Sequence, residues 1–273
     1  MLDCFEQFKN VDLSDEKCSV WYLGQEGFVF RTKTACIAVD PYLSDYVDRN
    51  CCRFVKWQRA YPAPVRAEQL DFLDAVLVTH THYDHADPDT LLPIANQNPD
   101  TKFIVPLPEV DAIAGLGISR QRIIGATVGQ PITIGDFVIS PLPAAHEEFH
   151  VDADGNYHEL SYVIECPSIS FFHAGDACVF DGLGQIIEGV DVIMLPINGR
   201  DEERNALDII GNMTAEEAID LAREANARLL VPMHHDLYAV NGFDTEEFVA
   251  LLKRQNPDQQ YYVFRPGEAI VLG

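Results

Sequence analysis

Residues 75–87 read AVLVTHTHYDHAD: four apolar residues, Ala75 to Val78, run straight into three histidines and two aspartates. A short, continuous apolar run marks a strand covered on both faces. Polar groups there are costly unless paired or bound to a metal. Yet His80, His82, Asp84 and His85 follow where that strand should end. In the pattern H-x-H-x-D-H the first two imidazoles are two positions apart, so an extended backbone sends both to one side. Asp84 and His85 lie beyond, in the turn before a helix start at Asp87-Pro88, with Asp as N-cap and Pro in the first turn. They face a second position a few ångströms away. Imidazole with carboxylate suits divalent zinc, manganese or iron, whereas a thiolate site would need cysteine.

Other apolar runs end in the same way. FVISPLPAA is followed by His146, SISFFHAG by Asp176, and RLLVPM by His234 and His235. A lone histidine at a strand end is ordinarily a surface or hydrogen-bonded core residue. Four donors within six positions defeat that default, because burying them unpaired costs several kcal/mol. Donors gathered at strand ends are how a rigid sheet presents a site. His150, His158 and His173 read as structural or supporting groups. His235, Asp236 and Asn241 read as groups orienting His234, with Asp84 and His235 as candidates for proton transfer.

The bulk numbers narrow the function. With 19 Lys plus Arg against 43 Asp plus Glu, the net charge of −24 repels phosphate backbones and anionic membranes. A small molecule is the expected partner, nucleic acid and membrane are not, and a homo-oligomer is left open. The seven cysteines are odd in number with no CxxC pair, which reads as reduced thiols in the cytoplasm. The start, MLDCFEQFKNVDLSDEK, is too polar for a signal peptide. No apolar run approaches the ~18 residues of a membrane span. No linker, repeat or low-complexity tract divides the chain, so residues 1–273 read as a single domain.

Strands in succession with helices between them predict an α/β fold of two sheets covered by helices. MTAEEAIDLAREANA is the clearest helix, opened by a Thr214-x-x-Glu217 capping box, and YYVFRPGEAIVLG at the end reads as a hairpin. NGRDEERNALDIIGNMT puts Asn198, Arg200 and Arg204 just after an apolar strand. These arginines either grip a phosphate or carboxylate of the substrate or pair with Asp201, Glu202 and Glu203 on the surface. Asp236 joins them as a substrate contact.

THTHYDH, the later His146, the Gly175-Asp176 pair after an apolar strand and the histidine after VP resemble the metallo-β-lactamase superfamily. VWYLGQEGFVF (20–30) and NMTAEEAIDLAREANARLLVPMHHDLYAVN (212–241) resemble its L-ascorbate-6-phosphate lactonase branch. The resemblance implies a four-layer αββα sandwich with two divalent ions, Mn2+ or Zn2+, at one edge of the sheets. His80, His82 and His146 would hold one ion, Asp84, His85 and His234 the other, and Asp176 would bridge them. It further implies a hydrolase in which a hydroxide shared by the ions opens a lactone or ester of a small, phosphorylated sugar acid. The alternatives are a phosphodiesterase acting on a small phosphodiester, and a non-catalytic metal scaffold. A redox role like that of flavodiiron proteins is disfavoured, because His82 stands where those have Glu.

Overall fold

The computed structural model describes residues 4–273, so the first three residues of the polar start lie outside it. β1 (Cys18–Gly24), β2 (Gly27–Arg31) and β3 (Cys36–Val39) form an antiparallel meander. β4 (Ala75–Leu77), β5 (Lys102–Pro106) and β6 (Ile123–Ala126) continue from β3 in parallel. A second meander runs through β7 (Ile132–Ile134), β8 (Phe137–Pro143), β9 (Leu160–Cys166) and β10 (Ile169–His173). β11 (Val192–Pro196), β12 (Leu229–Met233) and β13 (Gln260–Tyr261) extend it in parallel. β14 (Ala269–Leu272) returns to pair with β1, which gives two seven-stranded sheets.

Residues 261–273 therefore do not form the expected hairpin. Pro266-Gly267 does turn the chain, with Glu268 N donating to Arg265 O, but the flanking strands close the open edges of different sheets. Unpaired N–H and C=O groups on each edge take the nearer strand, and turn chemistry alone cannot say which edge that is.

The strands are apolar on both faces because both faces are covered. In β1, Val20 and Tyr22 enter the core between the sheets with Tyr162 and Phe171. Trp21 and Leu23 enter an outer core with Phe8, and with Leu91 and Ile94 of the Pro88–Gln97 helix. The Ala215–Glu224 and Thr245–Gln255 helices cover the second sheet through Ala218, Ile219, Phe248 and Leu252. The helix starts are those the sequence predicts: Asp87 accepts from Asp89 N, and Thr214 and Glu217 close a reciprocal capping box. Helix, sheet, sheet, helix is the resulting order. Among the described residues no helix is long and apolar enough to cross a membrane.

Candidate metal centre

Six strands deliver their carboxyl ends to one edge of the sandwich, where an α/β sheet ordinarily presents its ligands. β1 delivers Gln25 and Glu26, β3 Asp40, β4 the His80–His85 motif, β8 His146, β10 Asp176 and β12 His234. β4 stops at Leu77, so His80 and His82 sit in bends and not on the extended backbone their spacing suggested. The bends still set their rings 4.6 Å apart, centroid to centroid. Cross-links hold the two sheets together here: His234 N donates to Gln25 O (2.8 Å), Leu160 N to Thr79 O (3.0 Å) and Tyr162 Oη to Val78 O (2.9 Å).

The side chains gather into two donor sets. Donor atoms of His80, His82, His146 and Asp176 all lie within 4.8 Å of one another, and so do those of Asp84, His85 and His234. Asp176 faces both. Its Oδ2 lies 3.6 Å from His146 Nε2 and 4.0 Å from His80 Nε2, while Oδ1 lies 3.4 Å from both His85 Nε2 and His234 Nε2. All seven residues read from the sequence are thus brought together.

A divalent cation fits both sets. His80 Nε2, His85 Nε2, both ring nitrogens of His146 and Asp176 Oδ1 are buried without a hydrogen-bond partner, which is costly for groups with nothing to bind. The tautomers point the same way. His85 Nδ1 donates to Asp40 Oδ2 (2.8 Å), and Thr79 Oγ1 donates to the same oxygen (2.6 Å). The Thr79 hydroxyl is then free to accept from His80 Nδ1 (3.1 Å), so both Nε2 lone pairs face the centre. Burial pushes His80 well below the ordinary imidazole value and His146 down to about 4, so both are neutral. Burial also opposes charge on His85 and His234, but Asp176 and Asp84 outweigh it and lift His234 to about 9. Imidazoles that must borrow protons to balance nearby carboxylates stand where a cation would serve directly.

The structure adds three residues that the sequence reading missed. Asp40, wholly buried, fixes His85 and also accepts from Thr79 N (2.8 Å). Gln25 Nε2 donates to Asp84 Oδ2 (3.0 Å) and lies 3.0 Å from His234 Nε2. Glu26 is fully buried, 3.8 Å from His85 Nδ1, with neither side-chain oxygen hydrogen-bonded among the described residues. His173 supports the site from behind: its Nε2 donates to Glu26 O and its Nδ1 accepts from Gly175 N. His150 and His158 face Glu159 and Glu109, away from either donor set.

Other expectations are corrected. Arg200 forms a bidentate pair with Glu217, and Arg204 pairs with Asp201 and donates to Gly242 O, so neither lines the cavity at the centre. Arg204 thus takes the surface pair with Asp201 that the sequence left open, and Arg200 pairs with an acid further along the chain. Asn198 is buried, donating to Asn241 and accepting from Asn212, and reaches the cavity only through Asn241. Asp236 accepts from Tyr22 and Tyr61 behind the site. His235 is buried but belongs to neither donor set: β12 ends at Met233, and His234 turns into the centre with φ +52° in the bend that follows.

A cavity of about 270 Å³ opens over the centre, lined by His82, Asp84, Asp176 and His234 on its floor and by Val47, Cys51, residues 53–55, Trp57, residues 207–210 and Tyr238 on its walls.

Known proteins place this arrangement. The profile of the beta-lactamase superfamily domain matches residues 36–235. A "UPF0173 metal-dependent hydrolase" of Caldivirga maquilingensis is 27% identical over 254 residues, covering 92% of this chain and 96% of that protein. A "Probable L-ascorbate-6-phosphate lactonase UlaG" of Salmonella newport is 27% identical over 209 residues, covering 71% of this chain and 57% of the relative. Among solved structures, the metallo hydrolase Igni18 of Ignicoccus hospitalis shares the fold with a TM-score of 0.68 at 22% identity, covering 94% and 99% of the two chains. The chain belongs to the metallo-β-lactamase superfamily, in its UlaG-like branch. It is an enzyme, a metal-dependent hydrolase.

Proposed function

We propose that this enzyme hydrolyses the lactone or ester bond of a small molecule, with two divalent ions, zinc or manganese, held by the two donor sets. The observation that carries this reading is Asp176, whose two oxygens face different sets on the floor of one cavity. His80, His82 and His146 would hold one ion, Asp84, His85 and His234 the other, and Asp176 both. Divalent ions held there supply Lewis acidity and lower the pKa of water toward neutrality. Asp40 and Thr79 keep His85 and His80 in the tautomers that ligation needs. Asp84, steadied at Oδ2 by Gln25, takes the proton that water gives up and returns it to the leaving oxygen. The substrate class runs from phosphorylated sugar-acid lactones, the kind named for the Salmonella relative, to neutral esters.

The test pairs metal analysis with turnover. The purified enzyme should hold two equivalents of metal and cleave lactones or carboxylic esters well ahead of bis-p-nitrophenyl phosphate. The His82→Ala, Asp176→Ala double variant should lose metal and turnover together. A preference for the phosphodiester, or full hydrolysis by the double variant, would overturn the reading.

A further inference from the structure

The walls of the cavity point to the group that the substrate carries. They are built mainly from two segments, residues 53–57 after the Tyr46–Asn50 helix and residues 207–210 after the Glu202–Ala206 helix, with Tyr83 and Tyr238 beside them. Phe54, Trp57, Tyr83, Ile209, Ile210 and Tyr238 line it. Phe54, Tyr83 and Ile210 are 52%, 44% and 41% exposed, large apolar side chains kept in water around one opening. Apolar surface concentrated in this way marks a binding site more often than chance. The aromatic wall is braced: Trp57 packs edge-on against Tyr238 at 5.1 Å, and the Tyr238 hydroxyl bonds that of Tyr42 at 2.8 Å.

The cavity walls lack the donors that would grip a phosphate. Arg53 is the one Lys or Arg among the described lining residues, and its guanidinium lies over the Phe54 ring, 4.7 Å from the centroid. Asp208 lines the same space, while Asp84 and Asp176 belong to the donor sets on its floor. The two arginines that could have formed a phosphate fork, Arg200 and Arg204, are committed to Glu217 and Asp201. Phosphate recognition relies on converging charged donors, and the described lining offers none beyond Arg53. A polyhydroxylated sugar would also leave its hydroxyls against apolar walls, where each unpaired group costs binding.

We infer that the enzyme selects a neutral ester or lactone bearing an apolar chain or ring, held by Phe54, Trp57, Ile209 and Ile210. This rests on the hydrolytic reading above and narrows its substrate class.

The metal-loaded enzyme is assayed on p-nitrophenyl acetate, butyrate and hexanoate and on γ-lactones of increasing side-chain length. One phosphorylated sugar-acid lactone completes the set. kcat/KM should rise about fourfold per methylene until the cavity is filled. The sugar lactone should fall at least about tenfold below the longest-chain lactone. Trp57→Ala and Ile210→Asn should flatten the chain-length slope. A flat or inverted slope, or preference for the phosphorylated lactone, overturns this inference and leaves the hydrolytic reading standing. If no lactone or ester is cleaved, the hydrolytic reading fails, and binding still decides the apolar site. The chain has two tryptophans, Trp21 buried and Trp57 in the wall, so 2-decanone should quench a signal that is lost in Trp57→Phe. Tighter binding of 6-phosphogluconate than of 2-decanone would overturn it.

Discussion

The side-chain amide of Gln25 donates to Asp84 Oδ2 across 3.0 Å, joining the β1–β2 turn to the donor motif behind β4. The Gln25 carbonyl also accepts from His234 N at 2.8 Å, so one residue steadies two members of the second donor set. Groups that orient a metal ligand are worth about 10–100-fold in affinity. Gln25→Ala should weaken binding of one of the two proposed cations by about that factor and leave the other nearly unchanged. Stepwise chelator competition would read this out, and two unchanged affinities would remove Gln25 from the site.

Asp40 holds the Nδ1 proton of His85, and that bond decides which ring nitrogen keeps its lone pair for the centre. Asp40→Asn offers a poorer acceptor and can turn its amide toward the ring. Metal content after dialysis should drop, with kcat/KM falling about 10–100-fold. Restoring both by excess metal, with the metal-free variant melting as the metal-free wild type does, would confirm positioning, because a folding defect would lower the metal-free melting point.

Gly175 adopts φ +62° immediately before Asp176, and a Cβ there would come within 2.9 Å of Thr79 Cβ. The substitution Gly175→Ala therefore strains the backbone by about 1–2 kcal/mol. It also pushes the Asp176 turn against the residue that fixes His80 and Asp40. Thermal unfolding should fall by roughly 2–6 °C, and metal affinity should drop with it. A variant that melts lower but binds metal as before would show that the turn tolerates the shift.

Arg200 and Glu217 form an ion pair on the shell, with side chains 35% and 32% exposed. Arg200 holds the Glu217 carboxyl below its ordinary value, and Thr214 N adds to the effect. A lowered folded-state pKa stabilises the protein above the unfolded value and is lost as pH falls through the folded one. Arg200→Gln should cost at most about 1 kcal/mol near pH 7, a gap that closes below roughly pH 4. kcat/KM should stay within about twofold of wild type, since the guanidinium faces a helix start and not the cavity. A large rise in KM would return Arg200 to the substrate.

The donor residues were legible because a continuous apolar run announces where a strand ends, and His or Asp placed there has little else to do. Gln25, Glu26 and Asp40 end strands too, but a single polar residue beside Gly24, Gly27 or Pro41 reads as turn chemistry. Their roles arise only when the sheets come face to face: Gln25 and His234 are 209 positions apart. Arg200 was ambiguous because three acids follow closely, and its true partner was legible only as a helix cap. Phe54, Trp57, Ile209 and Ile210 lie in segments without period, so their convergence leaves no pattern to read. Two sheets covered by helices could be read from the order of strands and helices, and the family resemblance implied the four αββα layers, whereas the pairing of residues 260–272 was not legible.

That pairing shapes how the molecule is made. The seven donors lie between positions 80 and 234, yet one flanking strand of each sheet comes from residues 260–272. During synthesis every ligand has emerged while both sheets still show a bare flank, the condition under which strands recruit foreign chains. This stretch acts as a clasp over two seams, and one proteolytic cut between residues 262 and 268 would leave β14 held to β1 by its pairing alone.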